Sequence, residues 1–511
     1  ILLTLPAILS PALSEEFDTL DSIVSHYKMS EMRMLEGDYD AAITLAEPLV
    51  DASRKVAGEN NIHTARLLMY LGTLHRRKGD LEQAESLYKD SLEIIDRLTE
   101  VTPDERSILL TTLATINLEL NDHVEAVEFN EQLLILKESQ YGETHQEVAY
   151  TLVDIALSSE RLQQWGKAIN AFQRALAILE KSASRETEAI VSILNNLARI
   201  HERKRDYDKV LPHYEQALEL LKEKHGDKHA DVASLLNNIA NFHHSLGDHD
   251  QAMAYYRQSL DIRKATVGAE HAGNAPTLNS MAVLAMDQGD YPAARQLLEE
   301  AVAIQEKADP ASLTLSSMLS NLALLNAKLQ NFEIAENQYH QALMIRETQL
   351  GEDHADVAIL VSNLATLYLE QARYARASEA LERALAIQLQ AFGQDHPETA
   401  STLNNLAYLY LDQGDYNKAL PLLQRSLDSR ERILGREHPD LNSVLANLAN
   451  IHFELGNFDK AEALFRRALA INENAFGRQS PGAASMLNAL AAIANQRKAY
   501  DVARPLFEEV L

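Results

Sequence analysis

The chain has 511 residues, with 47 Lys and Arg against 75 Asp and Glu, for a formal charge of −28. Apolar residues make up 46%, and only 18 Gly and 13 Pro are present, a composition too apolar and too poor in turn formers for a disordered chain. The absence of Cys excludes disulfides, thiolate metal sites and a cysteine nucleophile, and the acidic balance argues against nucleic acid as the general partner.

The first element is Ile1–Ser14, ILLTLPAILSPALS, uncharged and followed by Glu15 and Glu16. It reads as the apolar core of a secretory signal, with Ala12-Leu13-Ser14 as a small-residue cleavage site, and so points to export to the periplasm or the exterior. The competing reading is an apolar cap on the first helix of a cytoplasmic protein. No later stretch reaches the roughly 18 apolar residues of a membrane span.

From residue 15 to 511 the chain reads as one repeat array. Gly37-Asp38-Tyr39, Gly289-Asp290-Tyr291 and Gly414-Asp415-Tyr416 share a turn, and equivalent turns fall at 37, 79, 121, 163, 205, 247, 289, 330, 372, 414, 456 and 498. The steps are all 42 residues except one of 41, where the deletion fits the loop at Ala308-Asp309-Pro310. Within a copy, Leu403, Leu406, Ala407 and Leu409 recur at helical spacing before the turn, and Ala419, Leu422, Leu423, Leu427 and Ile433 after it. Gly435 then stops the second helix, as Gly142, Gly226, Gly268, Gly351, Gly393 and Gly477 do elsewhere. Five residues after the turn stands Ala in eleven copies and Val210 in the other, a small side chain that lets two helices approach closely. One hairpin cannot bury its own apolar face, so neighbouring copies must stack. The chain does not begin with Met and its last copy stops within its second helix, so a longer parent protein is expected.

The run Thr402–Leu427, TLNNLAYLYLDQGDYNKALPLLQRSL, with Leu434-Gly435 and His438-Pro439, resembles a tetratricopeptide repeat of the 42-residue kind found in kinesin light chains and many bacterial proteins. That resemblance implies an all-α, right-handed superhelical solenoid of about twelve helix-turn-helix repeats. It covers nearly the whole chain and is specific for fold, whereas function depends on the sites grafted onto it. The coiled coil that precedes the repeats in kinesin light chains has no counterpart here, so cargo transport does not carry over.

The histidines follow the register. His145, His229, His271, His354, His396 and His438 lie eighteen residues before a turn, where they should bond backbone at a helix start. His75, His201, His243 and His452 lie four before it, at a packing position. No HExxH, GxxxxGK[ST] or GxSxG motif occurs, so the expectation is a non-catalytic chain with no cofactor and no metal. The carboxylates are spread over helix surfaces among Lys and Arg and read as a solvated face.

One polar pattern stands out. Asn196, Asn238, Asn321, Asn363, Asn405 and Asn447 lie nine residues before a turn, and Ser192, Ser234, Ser317, Ser401, Ser443 and Ser485 lie four residues earlier still. The i, i+4 spacing puts Ser and Asn on one helix face. Asn195, Asn237, Asn279, Asn404 and Asn488 add a second amide one position before. In the family resembled, first helices line the concave surface and Asn at this register contacts the backbone of a bound peptide. An amide both donates and accepts, so it pairs with an extended peptide whatever its side chains. Equally, these Asn residues could bridge one copy to the next. Charges along the same face vary: Arg161, Arg199 and Arg203 make the fourth and fifth copies basic, and Asp412 and Glu454 make the tenth and eleventh acidic. The expectation is a scaffold binding a peptide or partner helix, with the arginines suited to an acidic ligand, at Asn196, Arg199, Arg203, Asn238 and Asn241, with Arg161 alongside. The alternative is the sensor half of a longer signalling protein whose effector, such as a caspase-like protease domain, lies beyond residue 511. Self-association through an uncapped C-terminal face is a third possibility.

Overall fold

The computed structural model describes residues 20–58, 60–98, 102–182 and 186–510. The signal-like segment Ile1–Ser14 lies outside them. The chain divides into two compact units, 1–239 and 240–511.

The first unit contains α1 (Leu20–Glu36), α2 (Tyr39–Ala57), α3 (Ile62–Lys78), α4 (Leu81–Arg97), α5 (Pro103–Glu119), α6 (His123–Tyr141), α7 (Gln146–Arg161), α8 (Trp165–Lys181), α9 (Thr187–Arg203) and α10 (Val210–His225), and the division falls within α11 (Ala230–Ser245). The second unit continues with α12 (His249–Val267), α13 (Ala275–Asp287), α14 (Tyr291–Ala308), α15 (Leu313–Lys328), α16 (Phe332–Leu350), α17 (Ala355–Glu370), α18 (Tyr374–Phe392), α19 (Pro397–Asp412), α20 (Tyr416–Leu434), α21 (Asn442–Glu454), α22 (Phe458–Phe476), α23 (Pro481–Gln496) and α24 (Tyr500–Val510). No strand occurs among the described residues. Consecutive helices pack on one another from α1 to α10 and from α12 to α24, so each unit is a stack of helical hairpins. No described helix is long and apolar enough to cross a membrane.

All twelve turn positions adopt a positive φ. Six are Gly, and the other six are Asn121, Gln163, Arg205, Gln330, Ala372 and Lys498, the only non-Gly residues in this region among those described. The next residue's N–H bonds back to the carbonyl four before the turn, as in Asp80 to His75 at 2.9 Å and Arg373 to Tyr368 at 2.8 Å. That contact closes the first helix and forces the left-handed residue whatever its type. An L side chain there costs about 1–2 kcal/mol, and Ala372 at φ 54° has no polar group to offset it. Ala372→Gly is therefore expected to raise stability by about 0.5–1 kcal/mol, read as a shift of the urea midpoint. An unchanged or lowered midpoint would show that the turn carries no strain.

Packing follows the register closely. The small residues five after the turn are 0% exposed from Ala42 through Ala461, Val210 included, and Ala503 is 4% exposed. Seven before the turn, every copy again carries Ser, Gly or Ala, from Ser30 and Gly72 to Ala491. This position faces the residue nine after the turn. A Cβ added at Gly72 would lie 3.1 Å from the Tyr88 ring. In the eleventh copy, Phe465 clusters with Ala449 and Ala461 of its own hairpin and with Leu490 and Ile493 of the next. Large and small side chains thus interlock twice per repeat, once within the hairpin and once between hairpins.

The position eighteen before the turn is a helix N-cap in most copies, the third and fifth placing the cap one residue earlier. The Nδ1 of His145, His229, His271, His354, His396 and His438 each accepts the backbone N–H two residues on, at 3.0–3.3 Å. Ser312 caps the copy that follows the 41-residue step, so the deletion leaves the cap intact.

Candidate functional site

The first helices α9 and α11, with Leu221 from the end of α10, enclose a pocket of about 350 Å³ in the first unit. Its walls carry Ser192, Asn195 and Asn196 from α9 and Ser234 and Asn238 from α11, joined by Glu188, Val191, Asp231 and Leu235. Four residues singled out from the sequence, Ser192, Asn196, Ser234 and Asn238, therefore meet in one place. They do so because the 42-residue step puts the same helix face of successive copies side by side.

The amides fall into two states. In the second unit the Nδ2 of Asn321 donates to Oδ1 of Asn279 at 2.9 Å, and that of Asn447 to Oδ1 of Asn404 at 3.2 Å. Each bond joins the Asn nine before one turn to the Asn ten before the preceding turn, which is the copy-to-copy bridge anticipated above. In the first unit the equivalent acceptor is Asn195, and its Oδ1 is buried with no hydrogen-bond partner among the described residues. The Oδ1 of Asn237 is in the same condition. A buried carbonyl oxygen left without a donor costs about 1–3 kcal/mol.

The other predicted residues are placed as follows. Asn241 lies in the second unit and accepts from the Tyr256 hydroxyl at 2.5 Å. Asn363 and Asn405 occupy the same face in their own copies and are half-buried. The hydroxyls of Ser234, Ser317, Ser401 and Ser485 bond to carbonyls four residues back in their own helices.

The arginines do not line the pocket. The Nη2 of Arg199 donates to Oε2 of Glu160 at 2.9 Å and to Oδ1 of Asn196 at 2.8 Å, so its charge is matched by a carboxylate that is only 9% exposed. The Arg203 guanidinium sits 6.0 Å from the centre of the Trp165 ring. Arg161 and Arg203 are exposed and have no ion pair among the described residues. Of the acidic positions farther along, Asp412 accepts from the Tyr374 hydroxyl at 2.5 Å, whereas Glu454 is exposed with no ion pair among the described residues.

Carboxylates near the pocket escaped the sequence reading. Glu188 pairs with Lys224, which holds its pKa low. Asp231 is exposed and meets no Lys or Arg within ion-pair distance among the described residues. Asp154 stands nine before the fourth turn, the register of Asn196 one copy earlier. Asp154 is exposed, and desolvation of its carboxyl pushes its pKa up, with Lys137 pulling partway back.

One group among the described residues has three ligand-type atoms close together, His225, His229 and Asp231, within 4.8 Å of one another. Its geometry is explained without a metal. The Nδ1 of His229 accepts from the Asp231 N–H, which leaves the ring proton on Nε2. His225 stacks on His229 with ring centres 4.2 Å apart, as Tyr141 and Phe392 stack on the capping His145 and His396.

The tetratricopeptide repeat family model matches residues 21–97, 105–181, 189–265, 231–307, 314–390, 363–432, 398–473 and 440–511. The chain belongs to the tetratricopeptide repeat family. Repeats of this family generally mediate protein–protein interactions and are generally non-catalytic. Similar solved structures include BtubC (BKLC) from P. vanneervenii, 26% identical over 43% of this chain and 87% of that one, with a TM-score of 0.39. A putative kinesin light chain from Podosopora anserina with nearly identical TPR-like repeats is 24% identical over 40% of this chain and 99% of its own, with a TM-score of 0.36. PilF of Pseudomonas aeruginosa is 19% identical over 47% and 90%, with a TM-score of 0.35. No curated protein matches this tetratricopeptide repeat chain.

Proposed function

We propose that this chain is a binding scaffold that takes an extended peptide across the first helices of its first unit. The observation that carries this reading is the buried Oδ1 of Asn195, without a partner among the described residues, in a pocket that also holds Asn196, Asn238, Ser192 and Ser234. A peptide N–H supplies the missing donor, and the neighbouring amides pair with the peptide carbonyls. In the second unit the rungs at Asn279–Asn321 and Asn404–Asn447 are already closed by each other, whereas the Oγ of Ser362, ten before the ninth turn, is buried without a partner among the described residues. The exposed Arg161 and Arg203 would act beyond the pocket, on side chains that extend past the amides.

The test is selection from a displayed library of random decapeptides on the whole chain. Selected peptides should lose about tenfold or more in affinity with Asn195→Ala/Asn238→Ala, the cost of unpairing two buried polar contacts. Asn321→Ala/Asn447→Ala should leave binding unchanged and cost about 1 kcal/mol of stability per amide pair. Circular dichroism checks that all variants remain folded. Peptides that bind equally well to both double variants would sink the groove reading.

A further inference from the structure

We infer that the pocket in the first unit selects a cationic side chain, Lys or Arg, on the extended peptide it holds. The inference rests on the peptide reading above and gives its ligand a charge. The arginines that suggested an acidic ligand stand outside the pocket, and Arg199 is already matched by Glu160. The charges that line it are carboxylates, Glu188 and Asp231. Lys224 neutralises Glu188, whereas Asp231 has no Lys or Arg partner among the described residues. Asp154 extends the same row, since it occupies the register of Asn196 in the adjoining copy. Desolvation raises the cost of its charge, which an incoming cation lowers. The amides agree in sign, because the buried Oδ1 of Asn195 lacks a donor among the described residues. Lys and Arg are donors without an acceptor, so they satisfy carboxylates and amide oxygens together. The chain's charge of −28 adds a long-range field that draws cations toward it.

The decapeptides selected on the wild-type chain test this directly. Those that depend on Asn195 and Asn238 should be enriched in Lys or Arg at one fixed position. Replacing that residue by norleucine should weaken binding about tenfold, and Asp154→Asn/Asp231→Asn should weaken the cationic peptide to a similar extent while leaving the norleucine peptide unchanged. Affinity of the cationic peptide should also fall with added salt, and the double variant should flatten that dependence. Amide-dependent peptides enriched in Asp or Glu would overturn the cationic preference and leave the peptide groove standing. So would cationic peptides indifferent to Asp154→Asn/Asp231→Asn. A selection without any amide-dependent peptide would overturn the groove, and this inference with it.

Discussion

Phe465→Ala should destabilise the second unit by about 3–5 kcal/mol, the usual cost of emptying an aromatic site in a closed core. Phe465 is 3% exposed and sits between Ala449 and Ala461 of its own hairpin and Leu490 and Ile493 of the next. The corresponding residue of the last copy, Phe507, is 38% exposed, so burial at this register depends on the hairpin that follows. The loss should therefore be local. Denaturation by urea should show an early, separate transition, and hydrogen exchange should lose protection in residues 458–510 while 62–97 keep theirs. A single transition shifted as a whole would mean that the hairpins unfold together, contrary to nearest-neighbour coupling.

Ala419→Leu should cost about 1–3 kcal/mol by overfilling rather than emptying. Ala419 is fully buried where α20 approaches its neighbours, in a cluster with Ala407, Leu423, Val444 and Leu448. Three extra carbons have no cavity to enter and no exposed edge to turn toward. Asn417→Leu, two residues earlier and exposed, places the same leucine at the surface and should change stability by less than about 0.5 kcal/mol. Equal urea midpoints for the two variants would show that the small residue at this register does not set the helix spacing.

The turns, the hairpins and the histidine caps were legible in the sequence because each repeats at a fixed step. Register even identified turns without Gly, such as Gln163 and Ala372, whose residue types alone argue against a positive φ. Pairings between repeats were not legible. The Ala or Gly seven before the turn looks like an ordinary helix residue until Tyr88 is seen against Gly72. The union of Arg199 with Glu160 spans 39 residues and depends on how far α9 leans toward α7. The amides showed their face but not their state, since closing a rung requires an acceptor ten before the previous turn, as at Asn279 and Asn404. Glu188 and Asp231 resembled the other surface acids, and only the pocket set them apart.

The 41-residue step has a consequence for how such a chain changes length. The missing residue fell in the loop after α14, where Ser312 still caps α15, and both packing registers continue beyond it. Hairpins are thus exchangeable parts. A tandem duplication or loss of 42 residues within the copies that share the small-against-large pattern, all but the first and third, joins surfaces that already fit. A gene encoding this protein can gain or lose reach in whole-repeat increments without inventing an interface, and selection can then act on the few groove residues that each new copy brings.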